Sequence, residues 1–183
     1  GANENDIVCV TGDLGAAYLG LQILERKKQE FLANPAMKPQ IDNKSYVVGR
    51  QLKPESRTDI VFDLLEKGIV PTSMIDISDG LASDILHLAK NSGKGFTVFF
   101  ENIPIDNQTL ETCAEFNLNP VTSVINGGED YELLLTISQA DYEKVKDISE
   151  ITPIGFVNNE GTSWLILNSG ERTKLIAPGW KNV

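Results

Sequence analysis

One acidic segment combines residue types that could hold a metal ion and a phosphate. Residues 73–81 read Ser-Met-Ile-Asp-Ile-Ser-Asp-Gly-Leu, so Asp76 and Asp79 lie where a predicted strand ends and a predicted helix begins. Carboxylate oxygens at such a point suit a hard cation such as Mg²⁺, which usually binds together with substrate phosphates. Ser78 adds a hydroxyl, and the backbone amides at the helix start could face a phosphate. The spacing therefore predicts a site for a metal ion and a phosphate.

Asp79 has a second interpretation, as a helix cap. A carboxylate at a helix start can accept hydrogen bonds from free backbone amides without any ligand. That interpretation does not extend to Asp76, which lies between the apolar residues Ile75 and Ile77. A carboxylate between two core residues is costly unless its charge is neutralised. The pair therefore favours a metal site more than Asp79 alone does.

A second acidic segment follows a pair of glycines. Residues 126–133 read Asn-Gly-Gly-Glu-Asp-Tyr-Glu-Leu and place Glu129, Asp130 and Glu132 within four positions, directly before an apolar strand. Glycine allows the backbone to approach a ligand closely. Like charges this close repel one another unless a cation or a hydrogen-bond donor lies among them. The segment is therefore a candidate for ligand binding, with an ordinary acidic loop as the alternative.

The composition limits the class of protein. The 183 residues are 41% hydrophobic, enough for a buried core, and a formal net charge of −10 argues against non-specific binding to nucleic acid. No apolar run approaches the roughly 20 residues that span a bilayer, and the two cysteines lack metal-ligand spacing. The single histidine, His87, is expected to form a surface pair with Asp84 on the same predicted helix. We therefore expect a cytoplasmic protein that binds neither nucleic acid nor membrane.

The elements that must position these acids alternate between helices and strands. Helical spacing of apolar residues predicts helices over 14–32, 54–67, 80–91, 109–116 and 141–148. Apolar and β-branched runs predict strands over 7–10, 74–77, 96–100, 131–137, 153–157, 163–167 and 174–176. The last three strands are predicted to form an antiparallel meander, with a hairpin turn at 158–161. The order predicts one α+β domain with three layers, α/β/α, around a mixed, largely antiparallel sheet.

Five segments, in order along the chain, resemble those of the thiamine-monophosphate kinases, a family of the aminoimidazole ribonucleotide synthetase-like superfamily of ATP-using enzymes. They are Thr-Gly-Asp-Leu-Gly at 11–15, Arg-Gln-Leu-Lys-Pro at 50–54 with a further arginine at 57, Ile-Asp-Ile-Ser-Asp-Gly-Leu at 75–81, Ile-Pro at 103–104, and Gly-Gly-Glu-Asp-Tyr-Glu-Leu at 127–133. The Ser-Asp-Gly-Leu form is the discriminating part, because superfamily relatives with other substrates carry Thr-Gly-Gly-like variants there. The resemblance covers essentially the whole chain.

The resemblance implies that the γ-phosphate of ATP is transferred to thiamine monophosphate, which gives thiamine diphosphate. By similarity, Asp76 and Asp79 would bind Mg²⁺, and Ser78 would contact the phosphates of ATP. Glu129 and Asp130 would contact the phosphate of thiamine monophosphate. No dedicated catalytic base is implied, because this chemistry needs mainly in-line positioning and charge neutralisation.

The resemblance assigns a further role near the end of the chain. By similarity, Trp180 would pack on the aromatic ring of thiamine, whereas by position alone a terminal tryptophan could equally be a packing plug. The family often ends in Gly-aromatic-x-His-Phe, and this chain reads Gly-Trp-Lys-Asn-Val at 179–183. No role is therefore carried over to the last two residues.

The resemblance also implies a position within a longer protein. The chain starts near the junction between the two halves of the family, and the acidic Gly-Asp-Asp segment of the first half is not in it. We therefore expect residues 1–183 to be a single C-terminal domain with the fold of the C-terminal domain of aminoimidazole ribonucleotide synthetase. It would hold part of the metal and substrate site and be inactive without the N-terminal ATP-binding domain. The full-length protein would form a homodimer, mainly through that other half.

Two alternatives stay open. The chain could belong to another superfamily member with a different phosphate acceptor, although it lacks the Thr-Gly-Gly variant at 78–80. It could also be a non-catalytic acidic binding domain, such as a receiver-like module with Asp76 as phospho-acceptor. The order of strands and helices, with a meander at the end, argues against that second alternative.

Overall fold

Strands and helices alternate along residues 1–36, 40–41 and 44–177, the part of the chain that the computed structural model describes. The strands are β1 (Ile7–Thr11), β2 (Ser73–Asp76), β3 (Gly95–Phe99), β4 (Leu133–Ile137), β5 (Ile151–Asn158), β6 (Trp164–Ile166) and β7 (Arg172–Lys174). The helices are α1 (Ala16–Ala33), α2 (Ser45–Leu52), α3 (Thr58–Glu66), α4 (Leu81–Ser92), α5 (Asn107–Glu115), α6 (Pro120–Asn126) and α7 (Gln139–Val145), and a 3-10 turn covers Phe100–Asn102. Within these described ranges, none of the helices has the length and apolar character that crossing a bilayer requires.

The strands form one mixed sheet in the order β2-β4-β1-β5-β3-β6-β7. β1 lies near its centre and pairs antiparallel with both β4 and β5. β3 and β6 are parallel, and the other neighbouring strands are antiparallel. β2, which leads into the first acidic segment, is an edge strand. The prediction of a mixed, largely antiparallel sheet is confirmed.

Helices pack on both faces of this sheet. One apolar cluster joins α4 and α6 to the strands, with Leu81, Ile85, Val124, Val10, Val98 and Leu134 among its members. A second cluster on the opposite face joins α3 and α7 to the strands, with Ile60, Leu64, Val145, Cys9 and Leu135 among its members. A third cluster holds α1 against α2. The prediction of three layers, α/β/α, is therefore confirmed.

The predicted antiparallel meander at the C-terminal end is wrong. β3 lies between β5 and β6, so the predicted hairpin turn at 158–161 is a connection that passes over β3. β6 then pairs with β3 in parallel, with Leu165 opposite Val98. The Asn158 amide fixes the connection, because it donates to Thr97 Oγ1 at 2.9 Å and to the Thr162 carbonyl oxygen at 3.2 Å. Only the last part of the prediction holds, since β6 and β7 are antiparallel.

We expect the fold to depend strongly on Phe96, a fully buried side chain of β3. Phe96→Ala should lower the free energy of unfolding by about 3–5 kcal/mol, because the change removes buried apolar surface and leaves a cavity. Phe62 on α3 is 65% exposed, and Phe62→Ala should change that energy by no more than about 0.5 kcal/mol. Urea unfolding of both variants measures the difference, and equal losses would contradict the assignment of the core.

Candidate functional site

Backbone hydrogen bonds join the two acidic segments. Past the end of β2, the Ile77 amide donates to the Glu132 carbonyl oxygen at 2.7 Å, and the Tyr131 amide donates to the Ile77 carbonyl oxygen at 2.9 Å. The Glu129 amide donates to the Ser78 carbonyl oxygen at 2.9 Å. The pairing of β2 with β4 thus continues into the loops that follow and precede these strands. The structure brings together two segments that are far apart in the sequence.

Glycines make this close contact possible. A Cβ atom on Gly128 would lie 2.5 Å from the Ser78 carbonyl oxygen, too close for any side chain to be accommodated without movement. Gly80 has a φ of +100°, and a Cβ there would lie 3.0 Å from the backbone of Asn126. The sequence predicted that the Gly-Gly pair lets the backbone approach a ligand. In the structure, Gly128 lies against the other acidic segment, whereas a Cβ atom on Gly127 would collide with the Ser123 carbonyl oxygen.

Three acids of the two segments are exposed to solvent: Asp76, Asp79 and Glu129. The Tyr131 hydroxyl donates to Glu129 Oε2 at 3.0 Å. This hydrogen bond and the Glu129 charge raise the pKa of the Tyr131 phenol, and the charges of Asp76 and Asp79 contribute in the same direction. The three carboxylates therefore all raise the pKa of one phenol. The burial cost that we expected for Asp76 does not arise, because β2 is an edge strand and Asp76 faces solvent.

Asp130 points the opposite way. It is 2% exposed, and its carboxylate accepts hydrogen bonds from the amides of Gly15 at 2.8 Å and Ala17 at 3.3 Å, at the start of α1. Burial raises the pKa of Asp130 to about 7, although these two amides lower it. The residues on either side, Glu129 and Tyr131, have positive φ angles of 71° and 53°, which are uncommon for such side chains. Asp130 thus anchors the loop to α1, and its contact with substrate stays a prediction.

Glu132 is also buried, at 1% exposed, and is surrounded by donors. Its carboxylate lies 2.8 Å from Arg50 Nη1 and 3.5 Å from Arg57 Nε. The Thr11 hydroxyl donates to Glu132 Oε2 at 2.5 Å. These contacts resolve the repulsion that the sequence predicted within the segment. Sequence reasoning gave the two arginines no role, and their place in segments of the family pattern was the signal that could have identified them.

The expectation that Asp84 and His87 form a surface pair is wrong. Asp84 is 2% exposed, whereas His87 is exposed. Asp84 Oδ2 accepts a hydrogen bond from the Ser78 amide at 3.1 Å, so it lies behind the first acidic segment. The interpretation of Asp79 as the helix cap is also wrong, because Gly80 is the N-cap residue of α4. An aspartate in the first turn of the helix was the signal for Asp84 that the sequence offered.

A cleft of about 330 Å³ opens beside Asp76 and Tyr131. It lies between the connection from α2 to α3 and the adjacent ends of β2 and β4. Its lining residues are Pro54, Glu55, Ser56, Arg57, Asp76, Tyr131 and Leu133. This volume is at the small end of the range for ligand sites in proteins. A small ligand could therefore reach Asp76 and Tyr131 from this side.

The donor set fits Mg²⁺ only in part. Across the described part of the chain, no group of three or more His, Cys, Asp or Glu side chains is arranged to hold a metal ion. Asp76 and Asp79 would supply two carboxylates. Mg²⁺ usually binds through one or two carboxylates, with phosphate and water oxygens completing six ligands. The residues therefore fit an ion that binds together with a phosphate. Trp180, the remaining predicted site residue, lies outside the described residues.

Comparison with known proteins finds similarity along the whole chain. A thiamine-monophosphate kinase of Aquifex aeolicus is 30% identical over 182 residues, which are 100% of this chain and 53% of that protein. One of Methanocaldococcus jannaschii is 31% identical over 168 residues, 85% of this chain and 48% of that protein. The chain is homologous to the thiamine-monophosphate kinases. It spans about half the length of the curated relatives it matches. No family model matches it.

Solved structures agree with this homology. The thiamine monophosphate kinase from Aquifex aeolicus superposes with a TM-score of 0.75 at 29% identity, over 94% of this chain and 52% of that one. AaThiL complexed with AMPPCP and TMP gives a TM-score of 0.81 at 29% identity, over 100% of this chain and 53% of that one. Hydrogenase maturation protein HypE in complex with ATP superposes with a TM-score of 0.72 at 16% identity, over 97% of this chain and 52% of that one. At this low identity, the likeness shows the fold alone. The fold predicted from the resemblance to these kinases is confirmed.

Asp130 should make the folded state less stable as the pH rises. Its carboxyl has a pKa of about 7 in the folded protein against 3.8 for the free group, so the folded state binds its proton more tightly. This contribution to stability is fully present below about pH 4 and is lost as the pH rises to about 7, at up to about 1.4 kcal/mol per pH unit. Asp130→Asn should remove it. Urea unfolding of both proteins across this range measures the difference, and parallel pH profiles would contradict the assignment.

Proposed function

We propose that this chain is the C-terminal domain of an ATP- and Mg²⁺-dependent kinase that phosphorylates thiamine monophosphate to thiamine diphosphate. The observation that supports it best is the joining of the two acidic segments through the Ser78 carbonyl oxygen and the Glu129 amide. This contact joins the segments that carry Asp76, Asp79 and Glu129, which are exposed and which all raise the pKa of Tyr131. The homology to thiamine-monophosphate kinases supports the same assignment.

Each residue has a role in this proposal. Asp76 and Asp79 hold Mg²⁺ together with the phosphates, and the Ser78 side chain contacts the phosphates of ATP. Glu129 is the acid that we place at the acceptor, because the Asp130 carboxylate is engaged with α1. Because a carboxylate and an anionic acceptor repel each other, Glu129 can approach the acceptor only through a bridging cation or through a hydrogen-bond donor on the acceptor. For Trp180, packing on the aromatic ring of thiamine stays a prediction.

Phosphoryl transfer requires little more from this domain than the positioning of the phosphates and the neutralisation of their charge. The acceptor is a phosphate that is already an anion, so no side chain needs to remove a proton from it. Two carboxylates leave most of the coordination sphere of Mg²⁺ to phosphates, water and other protein groups. The proposal therefore includes an N-terminal ATP-binding domain that completes the site, a homodimer of the full-length protein, and a place in the cytoplasm, where ATP is available.

The decisive assay is the ATP-dependent conversion of thiamine monophosphate to thiamine diphosphate. We expect turnover by the full-length protein and none by this chain alone. Asp79→Asn in the full-length protein should lower the rate by at least about 100-fold, because charge stabilisation by the metal ion contributes several kcal/mol. The matched control is Asp63→Asn on the exposed side of α3, which should retain the rate within about twofold.

Three other outcomes of this assay would contradict the proposed function or the role of Asp79. An active full-length protein that uses only another phosphate acceptor would assign the chain to a different member of the superfamily. An unchanged rate in Asp79→Asn would remove the proposed metal role of that residue. A full-length protein without turnover on any acceptor would favour a non-catalytic binding domain.

A further inference from the structure

Asp84 makes a contact that a helix cap does not explain. α5, α6 and α7 each begin with a side-chain cap, in which Asp106, Asn119 or Ser138 accepts from an amide of its own helix. α4 has Gly80 at this position, and among the described residues no side chain caps it there. Asp84 instead accepts from the amide of Ser78, two residues before the N-cap. Its hydrogen bond therefore orders the turn that precedes the helix, and not the end of the helix itself.

This contact places a carboxylate in the interior without an ion pair. Asp84 is 2% exposed, and it forms no salt bridge with any residue that the structure describes. Burial raises the pKa of Asp84 to about 6, while the amides of Ser78 and Asp79 lower it. A buried carboxylate is costly unless donors surround it. A serine or asparagine at the N-cap would start the helix at a smaller cost, so the carboxylate is better explained by what it does for the turn.

The backbone of Ser78 is held from two sides. Its amide donates to Asp84 at 3.1 Å. Its carbonyl oxygen accepts from the Glu129 amide at 2.9 Å. The Ser78 backbone thus links the turn with Asp79 to the loop with Glu129, and Asp84 anchors this backbone on the side of α4.

We propose that Asp84 is a positioning residue that fixes the Ser78–Asp79 turn and, through the backbone of Ser78, the Glu129 loop. It acts behind the site and touches neither metal ion nor substrate. The metal ion and the substrate named here rest on the proposed function. The role of Asp84 in ordering the Ser78–Asp79 turn and the Glu129 loop does not. The two parts are therefore tested separately.

The first test needs no ligand. Asp84→Asn keeps the size of the side chain and removes its charge. In this chain alone, we expect amide hydrogen exchange at Ser78 and Glu129 to become at least about tenfold faster, with exchange at Leu135 in β4 unchanged. The matched control is Ser138→Ala, which removes the cap of α7 at the far end of β4 and should leave the amides of Ser78 and Glu129 unchanged.

Unchanged exchange at both amides in Asp84→Asn would overturn the proposal. The same would follow if Ser138→Ala accelerated them equally, because the effect would then report a general loss of stability. If Asp84→Asn does not fold, Asp84→Glu is measured in the same way. It keeps the charge but displaces the carboxylate by one methylene, and it should accelerate the same two amides.

The second test uses the full-length kinase. Asp84→Asn should raise the Mg²⁺ concentration for half-maximal rate by about 10–100-fold, as for residues that orient metal ligands, and excess Mg²⁺ should recover part of the rate. Ser138→Ala should leave this concentration unchanged. An active wild-type enzyme whose Asp84→Asn variant keeps the wild-type Mg²⁺ dependence would overturn the positioning role. An inactive wild-type enzyme would count against the proposed function, and the exchange experiment would still decide the role of Asp84.

Discussion

The burial of three carboxylates behind the exposed ones is the constraint that organises this domain. Asp84, Asp130 and Glu132 are each no more than 2% exposed, and each lies close in the sequence to an acid that faces solvent. Moving a charge out of water costs several kcal/mol unless donors replace the water. The donors come from the Ser78 amide, from the start of α1, and from Arg50 and Arg57. Those elements must therefore lie where the carboxylates need them.

The attachment of α1 and α2 to the sheet illustrates this dependence. Their apolar cluster is separate from the two clusters that lie against the strands. The ion pair of Arg50 on α2 with Glu132 joins them to the start of β4, and the same guanidinium donates to the Asp13 carbonyl oxygen at 3.0 Å. Tyr46 donates to the Asp13 carboxylate, whose pKa burial raises. A polar network thus couples the helical layer to the loop that carries Glu129, so packing and site geometry cannot vary independently.

Local sequence patterns predicted the structural features that depend on residues close together in the sequence. The predicted helices and strands lie within a few residues of their observed ranges, because apolar periodicity reports the face that each element buries, but α2 and α6 were not predicted. The insertion of β3 between β5 and β6 could not be predicted, since it depends on pairing between distant strands. The same limit applies to the acids. Glu129, Asp130 and Glu132 look equivalent in sequence, and only the distant donors at Gly15 and Arg50 decide which of them turn inward.

The outward acids restrict how a phosphate ligand could bind. The chain has a net charge of −10, and Asp76, Asp79 and Glu129 face solvent and all raise the pKa of Tyr131. Such a surface repels a polyphosphate, so a cation must bind with it or before it. Two carboxylates are enough to hold Mg²⁺ that keeps phosphate and water ligands, but too few to enclose the ion. Under the proposed function, the inward acids would be the rigid support that keeps the two metal-binding carboxylates in place until the phosphate supplies the remaining ligands.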